Sequence, residues 1–352
     1  MKEIREIAAA LGGRPAGSKP AVLVTLVKLA GSAYSGLGAR MLVLPDGTIA
    51  GTFGAGCFEQ DLAGHAEQVR ASGAPATVTY DLTVDDDKPW GLGMGCRGRL
   101  DLLLEPVPAG TTPEALTFLL EAARTRNAAA VATVFRTGGD PALSLGERLL
   151  LRSDGVPGGD FGSGALRTVV KAAARDALKK RRTGILVHPV PGGEAEVLVE
   201  FVPPPIALIA GGSGRDTAPL ARLAGELGWE AHLLGKDEMP RTLDARTAAV
   251  VMSHNLERDT ALLAALLGSP CGYVGVLGSH ARTAEILAEL ARRGRAPTPR
   301  QLKKLHSPVG LDVGAETPGE VALSIVAEIQ AFFARRRGGS LRKRKGPIHD
   351  RP

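Results

Sequence analysis

The sequence predicts an α/β protein with two architectures in series: an N-terminal α+β domain built from two related halves, followed by a Rossmann-like, doubly wound parallel-sheet domain. Three observations carry that prediction. A block of the first part recurs further along, with Thr25 aligning on Thr133 without gaps. Strand-like and helix-like segments alternate throughout the second part. Between them stands Phe201-Val-Pro-Pro-Pro205, where consecutive prolines can continue neither a helix nor a central strand. The expected divisions are residues 1–203, 204–334 and a basic tail over 335–352 without fixed structure.

Composition bounds the function. At 352 residues the chain exceeds one ordinary hydrophobic core. Aromatics make up only 4%, so Ala, Val and Leu must fill the interior. The net charge of +6 belongs to the tail: RRRGGSLRKRKGPIHDRP holds eight Lys and Arg against one Asp, and the rest is close to neutral. No aromatic residues interleave those charges for base stacking, so no nucleic-acid partner is expected. The start, MKEIREIAAALGG, has an amphipathic helix pattern whose charges break up any signal-peptide core. No apolar run approaches the ~18 residues of a membrane span. Cys57, Cys96 and Cys271 are odd in number and far apart, against a disulfide framework or a zinc site, and predict a cytoplasmic protein with reduced thiols.

In the first part the pattern before the prolines is mostly β with turn glycines. TLVKLAGSAYSGLGARMLVLPDG (Thr25–Gly47) aligns with TVFRTGGDPALSLGERLLLRSDG (Thr133–Gly155). Thr25, Gly31, Leu37, Gly38, Arg40, Leu42, Asp46 and Gly47 recur as Thr133, Gly139, Leu145, Gly146, Arg148, Leu150, Asp154 and Gly155. The match runs on through Gly51, Phe53, Gly54 and Gly56 to Gly159, Phe161, Gly162 and Gly164. Each unit reads as a strand, a Gly/Ser loop, a second strand and an Asp-Gly turn, a hairpin signature. Each closes with a further strand, RLDLLLEPVP (Arg99–Pro108) or EAEVLVEFVP (Glu194–Pro203). Such sheets often pair, which favours a homodimer.

The copies differ in their thiols. Cys57 becomes Ala165, and Cys96 has no counterpart before the second closing strand. Packing alone would not restrict both to one half, so a site is expected in the first. In GTFGAGCFEQD, Gly54 and Gly56 let the backbone approach a ligand, and Cys57 stands just ahead of a helix-like run whose N-terminal N–H groups favour a thiolate or an anion. A small buried thiol on a tight turn is the competing reading. Glu59 and Asp61 are placed to complement the helix dipole, with Glu59 also a candidate contact. Cys96 lies in GLGMGCRG beside Arg97, whose guanidinium lowers a thiol's pKa and pairs with phosphate; a plain surface loop is the alternative. The acidic run DDDKPW is expected to be solvated. Arg40, repeated as Arg148, implies a structural bond in both halves, while Arg40 also stands near the candidate ligand site.

The second part opens with IALIAGGSGRDTAPLARLAGELGW, a strand, a glycine turn at Gly212 and Gly214, and a helix. It continues through EAHLLG, TAAVVMSH, a helix after Glu257, CGYVGVLGS, a helix after Arg282 and a last helix from Pro318 to Phe333. The glycine turn is an incomplete dinucleotide fingerprint: Thr217 replaces its third small residue, and Gly235 stands where an acid would hold a ribose. That argues against tight NAD binding and leaves open a nucleotide phosphate, met by Lys236. An NAD(P)-dependent oxidoreductase is the alternative function. His254 and His280 end predicted strands and read as loop histidines; Cys271 reads as core.

Two stretches resemble the signatures of the XdhC/CoxI family: VTLVKLAGSAYSGLGARMLVLPDGTIAGTFGAGCFEQD and GLGMGCRGRLDLLLEPV. YVGVLGSHARTAEIL and HSPVGLDVGAETPGEVALSIVAEI are similar to its Rossmann-type half, so the resemblance covers all but the tail. It departs at GAGC, where the family has GGC, and at Gly235-Lys236. The resemblance implies a maturation factor, more chaperone than enzyme. Such a protein binds the molybdenum cofactor (molybdopterin), supports its sulfuration with a cysteine desulfurase, and delivers it to a molybdenum hydroxylase apoenzyme of the xanthine or carbon monoxide dehydrogenase type. Carried onto this chain, the cofactor site lies around Gly54, Gly56, Cys57 and Cys96, with Arg40 nearby and the two sulfurs as molybdenum-cofactor contacts.

Overall fold

The computed structural model describes every residue except 16, 32–34, 53–58, 82–97, 160, 163, 213, 237, 241, 346–347 and 349–352, and omits the side chains of 59, 60 and 214. By backbone contacts the chain divides into two main units, Glu3–Pro204 and Pro205–Gly346.

The first unit runs through one pattern twice. Helix α1 (Lys2–Gly12) leads to β1 (Ala21–Gly31), β2 (Arg40–Val43), β3 (Ile49–Gly51), α2 (Glu59–Ser72), β4 (Ala76–Asp81) and β5 (Gly98–Val107). Helix α3 (Glu114–Arg124) then leads to β6 (Ala129–Arg136), β7 (Arg148–Arg152), β8 (Pro157–Gly158), α4 (Ala165–Lys180), β9 (Gly184–Val190) and β10 (Gly193–Val202). Each round closes its own five-stranded sheet, ordered β3-β2-β1-β5-β4 and β8-β7-β6-β10-β9. Helices α3 and α4 go beyond the mostly β expectation. Their apolar residues, Leu116, Leu119 and Ala123 in one and Leu166, Val170, Ala174 and Ala177 in the other, recur at helical spacing and are buried.

Alternation along the strands gives each sheet two buried faces. Val22, Val24, Leu26, Leu102 and Leu104 pack with Leu62, Ala66 and Val69 of α2. Ala130, Ala132, Val134, Val197 and Val199 pack with α4. The opposite faces meet where Val27 and Leu103 contact Phe135 and Leu198. The layers therefore run helix, sheet, sheet, helix, and α1 and α3 join a further cluster with Leu23, Leu42, Val131 and Leu150.

Each half supplies the other's buried counter-ion. Arg40 donates to both carboxylate oxygens of Glu200, at 3.0 and 2.5 Å. Arg148 donates to Glu105 in the same manner, at 2.7 Å for the first bond. Burial opposes the Arg148 charge, yet the Glu105 carboxylate more than offsets this and the pKa is pushed up. The recurring glycines now have a cause. Gly38 and Gly146 both have left-handed φ, +81° and +82°, and a β-carbon at either would collide with the carboxylate of Glu200 or Glu105. Thr25 and Thr133, also matched, are both fully buried with hydroxyls lacking a partner among the described residues.

The second unit contains β11 (Ala207–Gly212), α5 (Gly214–Glu226), β12 (Glu230–Leu234), β13 (Thr247–Met252), α6 (Leu256–Gly268), β14 (Tyr273–Val276), α7 (His280–Arg292), α8 (Pro299–Leu302), β15 (Leu305–His306) and α9 (Pro318–Phe333). Its sheet is parallel, ordered β12-β11-β13-β14-β15, with α5 and α9 against one face and α6 and α7 against the other. The last helix begins and ends as expected, opened by a Thr317–Glu320 capping box. Cys271 is core, and burial pushes its thiol up to about 11. Among the described residues of the tail, Leu341–Lys343 form a short 3₁₀ turn. Among the described residues no helix is long and apolar enough to cross a membrane.

Candidate functional site

Cys57, Cys96, Gly54, Gly56 and Arg97 lie outside the described residues, as does the side chain of Glu59. The flanks of both cysteine segments are described: register puts both flanks of the Cys96 segment at one end of the first sheet, and the chain path brings the C-terminal flank of the Cys57 segment there. Strand β1 ends at Gly31, which pairs with Gly98 at the start of β5. Asp81, ending β4, sits opposite Arg99. Strand β3 ends at Gly51 opposite Met41, level with Val24 of β1, and runs toward the Gly31 end without reaching it. Helix α2 returns the chain to Ala76 at the far end of β4, so its first turn lies at the Gly31–Gly98 end. Chain topology thus brings the N-terminus of α2 to the sheet end where Asp81 and Gly98, the flanks of the Cys96 segment, lie.

Polar side chains gather beside this end. Between the sheets, Lys28 bonds Glu196 at 2.6 Å, and Arg136 lies 3.2 Å from Glu196 and 3.8 Å from Asp101. Asp101 is buried and accepts the Thr79 hydroxyl at 2.8 Å. Sequence reasoning missed this quartet, although Lys28 and Arg136 are matched repeat positions, so a recurring cation was the available signal. On the helix side, Asp61 lies 3.5 Å from His65, whose ring meets Tyr80 edge-on at 6.2 Å. Burial, then the Asp61 carboxylate, pushes the Tyr80 phenol well above its ordinary value.

Arg40 is only 4% exposed, and its guanidinium is engaged by Glu200 and by the Gly38 carbonyl at 2.8 Å. Its visible role is the structural bond expected from its recurrence as Arg148.

The loop after the third strand also distinguishes the halves. In the second half Glu147 accepts the backbone N–H groups of Gly162 and of Ser144, the latter at 3.2 Å. A carboxylate of the protein itself serves that loop. The matched first-half position is Ala39, which has no charge to offer.

The profile of the XdhC and CoxI family matches residues 16–81 and again 122–188, one match in each half, and the XdhC Rossmann domain profile matches residues 208–329. The chain belongs to the XdhC and CoxI family. It is 29% identical over 335 residues to a probable xanthine dehydrogenase subunit from Bacillus subtilis (strain 168), covering 88% of this chain and 92% of the relative. It is 27% identical over 317 residues to the molybdenum cofactor insertion chaperone PaoD of Escherichia coli (strain K12), covering 88% and 83%. Among solved structures, a xanthine dehydrogenase from Bacillus halodurans superposes with a TM-score of 0.72 at 26% identity, covering 97% of this chain and 98% of that one.

In the XdhC Rossmann domain the glycine turn has packing reasons for its composition. A β-carbon on Gly212 would lie 2.7 Å from the Met252 carbonyl and 2.9 Å from Thr217, so the glycine permits close approach of β11 to β13 and α5. Asp216 puts a carboxylate in the first turn of α5, the helix N-terminus that faces the pyrophosphate in a dinucleotide site, where its negative charge opposes an anion. His254 holds it at 3.1 Å from the end of β13, with a left-handed φ of +60°. After β12, Glu238 accepts the Gly235 N–H at 3.0 Å and bonds His232 at 2.7 Å. An acid therefore does stand at that strand end, three residues beyond the position that sequence spacing indicates.

Proposed function

We propose that this chain is a maturation factor. It holds a molybdenum cofactor at the Gly31–Gly98 end of its first sheet, supports sulfuration of that cargo with a cysteine desulfurase, and inserts it into a molybdoenzyme of the xanthine or carbon monoxide dehydrogenase type in the cytoplasm. The carrying observation is that register puts both flanks of the Cys96 segment at one sheet end and that α2, which follows the Cys57 segment, begins at the same end, in the half that keeps its thiols. The similarity to an insertion chaperone and to a probable xanthine dehydrogenase component supports the same reading.

The roles follow from chemistry. Cys57 and Cys96 supply soft thiolates suited to molybdenum and its sulfur ligands. Gly54 and Gly56 admit close backbone approach, and Arg97 with the α2 N-terminus offers positive charge to the pterin phosphate. Arg40 anchors the frame from beneath. The cargo brings the redox chemistry to its client; this chain binds it, orients it and shields it from water. Asp216 and its partner His254 weigh against a nicotinamide-dependent alternative.

Protein coexpressed with cofactor synthesis and purified without oxygen is expected to carry molybdenum and pterin in near-equal amounts. Cys57→Ala with Cys96→Ala is expected to lower both about tenfold or more, with an unchanged melting temperature. Cofactor-free wild-type protein under those conditions overturns the proposal.

A further inference from the structure

The outer helices α2 and α4 occupy matched places, yet their charges oppose. Buried Leu62, Ala66 and Val69 align with buried Val170, Ala174 and Ala177, which fixes the correspondence. Within it Glu59 becomes Arg167, Ala63 becomes Lys171, Glu67 becomes Arg175 and Ala71 becomes Lys179. All four cations are exposed, and they repeat every fourth residue along one side of α4, about 6 Å apart. Asp176, the one acid of α4, is taken by Lys180 at 2.8 Å. Lys171 and Arg175 form no ion pair among the described residues.

The cations border a groove. Two adjoining cavities of about 200 and 260 Å³ share Leu151, Pro157 and Lys171 and run between α4 and the β7–β8 edge. Their walls are apolar at Leu149, Leu151 and Leu178 and cationic along α4. In the first half the residue matching Leu178 is Arg70, which is nearly buried and reaches across to the Val43 carbonyl at 3.4 Å, with Glu67 at 2.8 Å. At the matched position of the first half a side chain thus crosses to the neighbouring strand, whereas Leu178 makes no such crossing and lines the open groove.

We propose that the α4 groove docks an acidic segment of a partner protein, its carboxylates on Lys171 and Arg175 and its apolar side chains between them on Leu151 and Leu178. The proposal is separate from cofactor holding, since it uses the opposite half of the unit's repeat. Charge complementarity selects an acidic occupant. The recessed leucines select a protein: among the described residues no exposed aromatic face lines the groove for base stacking, and a lone exposed Val156 at the rim is too little apolar surface to anchor in lipid.

The test uses the full-length protein and a fluorescent peptide of about twelve residues alternating glutamate with leucine and serine. Oligothymidylate of matching length and phosphatidylglycerol vesicles serve as comparators. The peptide is expected to bind at low salt, and Lys171→Glu with Arg175→Glu to weaken it about tenfold or more without altering cofactor content. Leu178→Arg separates docking from bulk charge: it adds a cation yet is expected to weaken binding by closing the groove. Unchanged peptide binding in the charge-reversed variant, tighter binding in Leu178→Arg, or preference for oligothymidylate or vesicles overturns the proposal.

Discussion

The two halves of the first unit share a chain path and differ in what they expose. They coincide where the sheets face each other: Gly38 with Gly146, Arg40 with Arg148, Glu105 with Glu200. They diverge on loops and outer helices: Cys57 against Ala165, Ala39 against Glu147, Arg70 against Leu178, Glu67 against Arg175. The reason lies in how the pairs cross. Arg40 of one half is neutralised by Glu200 of the other, and Arg148 by Glu105, so neither half can change its inner face without stranding a charge in its twin. Outward positions carry no such reciprocity and are free to specialise.

The largest expected effect breaks that reciprocity. Arg40→Ala strands Glu200, whose pair is almost wholly buried, and is expected to cost about 3–5 kcal/mol in chemical denaturation. Arg148→Ala is expected to cost less, because both members of its pair are about 13% exposed. Replacing Arg40 and Glu200 together by leucine removes both charges and is expected to cost far less than the single change. Equal costs for single and double replacement would show the pair to be incidental to the sheet–sheet contact.

Exchanging the loop carboxylate acts next, and mainly on function. Ala39→Glu gives the first half the group that serves the second, and is expected to lower molybdenum and pterin content about tenfold at unchanged stability. The reverse change, Glu147→Ala, leaves the Gly162 N–H without its acceptor and is expected to cost about 1–2 kcal/mol with cofactor content intact. A variant Ala39→Glu that still carries full cofactor would mean that position 39 does not bear on the site.

How far the sequence reveals these features depends on how local their causes are. The repeated glycines and Asp-Gly turns are legible because each answers a backbone demand within a few residues. The last helix is legible to the residue because its capping box is written in Thr317-Pro-Gly-Glu320. The Arg–Glu pairs are legible on one side only: the recurring arginine signals a bond, but its glutamate lies across the sheet interface, and spacing carries no trace of which residue that is. Helices α3 and α4 hide because turn glycines on either side dominate the pattern. Gly212 is legible as a tight approach, though a glycine spaced for a phosphate and one spaced for Met252 look alike. The candidate site is legible chiefly as an asymmetry between copies, since Cys57 and Cys96 become conspicuous only beside a half that lacks them.

The smallest expected effect sharpens the comparison at the Asp-Gly turns. Asp46 and Asp154 occupy matched places, and each accepts a backbone N–H two residues on, Thr48 at 2.9 Å and Val156 at 3.2 Å. The N–H and hydroxyl of Thr48 hold the Asp46 carboxyl below its usual range. For Asp154 the leading cause is Arg152, at 2.7 Å, with the Val156 N–H secondary. Residue 44, matched to Arg152, is leucine. A depressed carboxyl favours the folded state above the unfolded value, near about 3.9, and that contribution is lost as pH falls through the lower folded-state value. Both turns therefore favour folding at neutral pH and lose that contribution in acid, by different means. Arg152→Gln is expected to raise the Asp154 titration followed by NMR and leave Asp46 in place; added salt is expected to raise Asp154 more than Asp46, because a guanidinium is screened and a backbone N–H is not. An Asp154 titration that ignores both changes would reduce the two turns to one device, with the arginine beside the second contributing nothing to it.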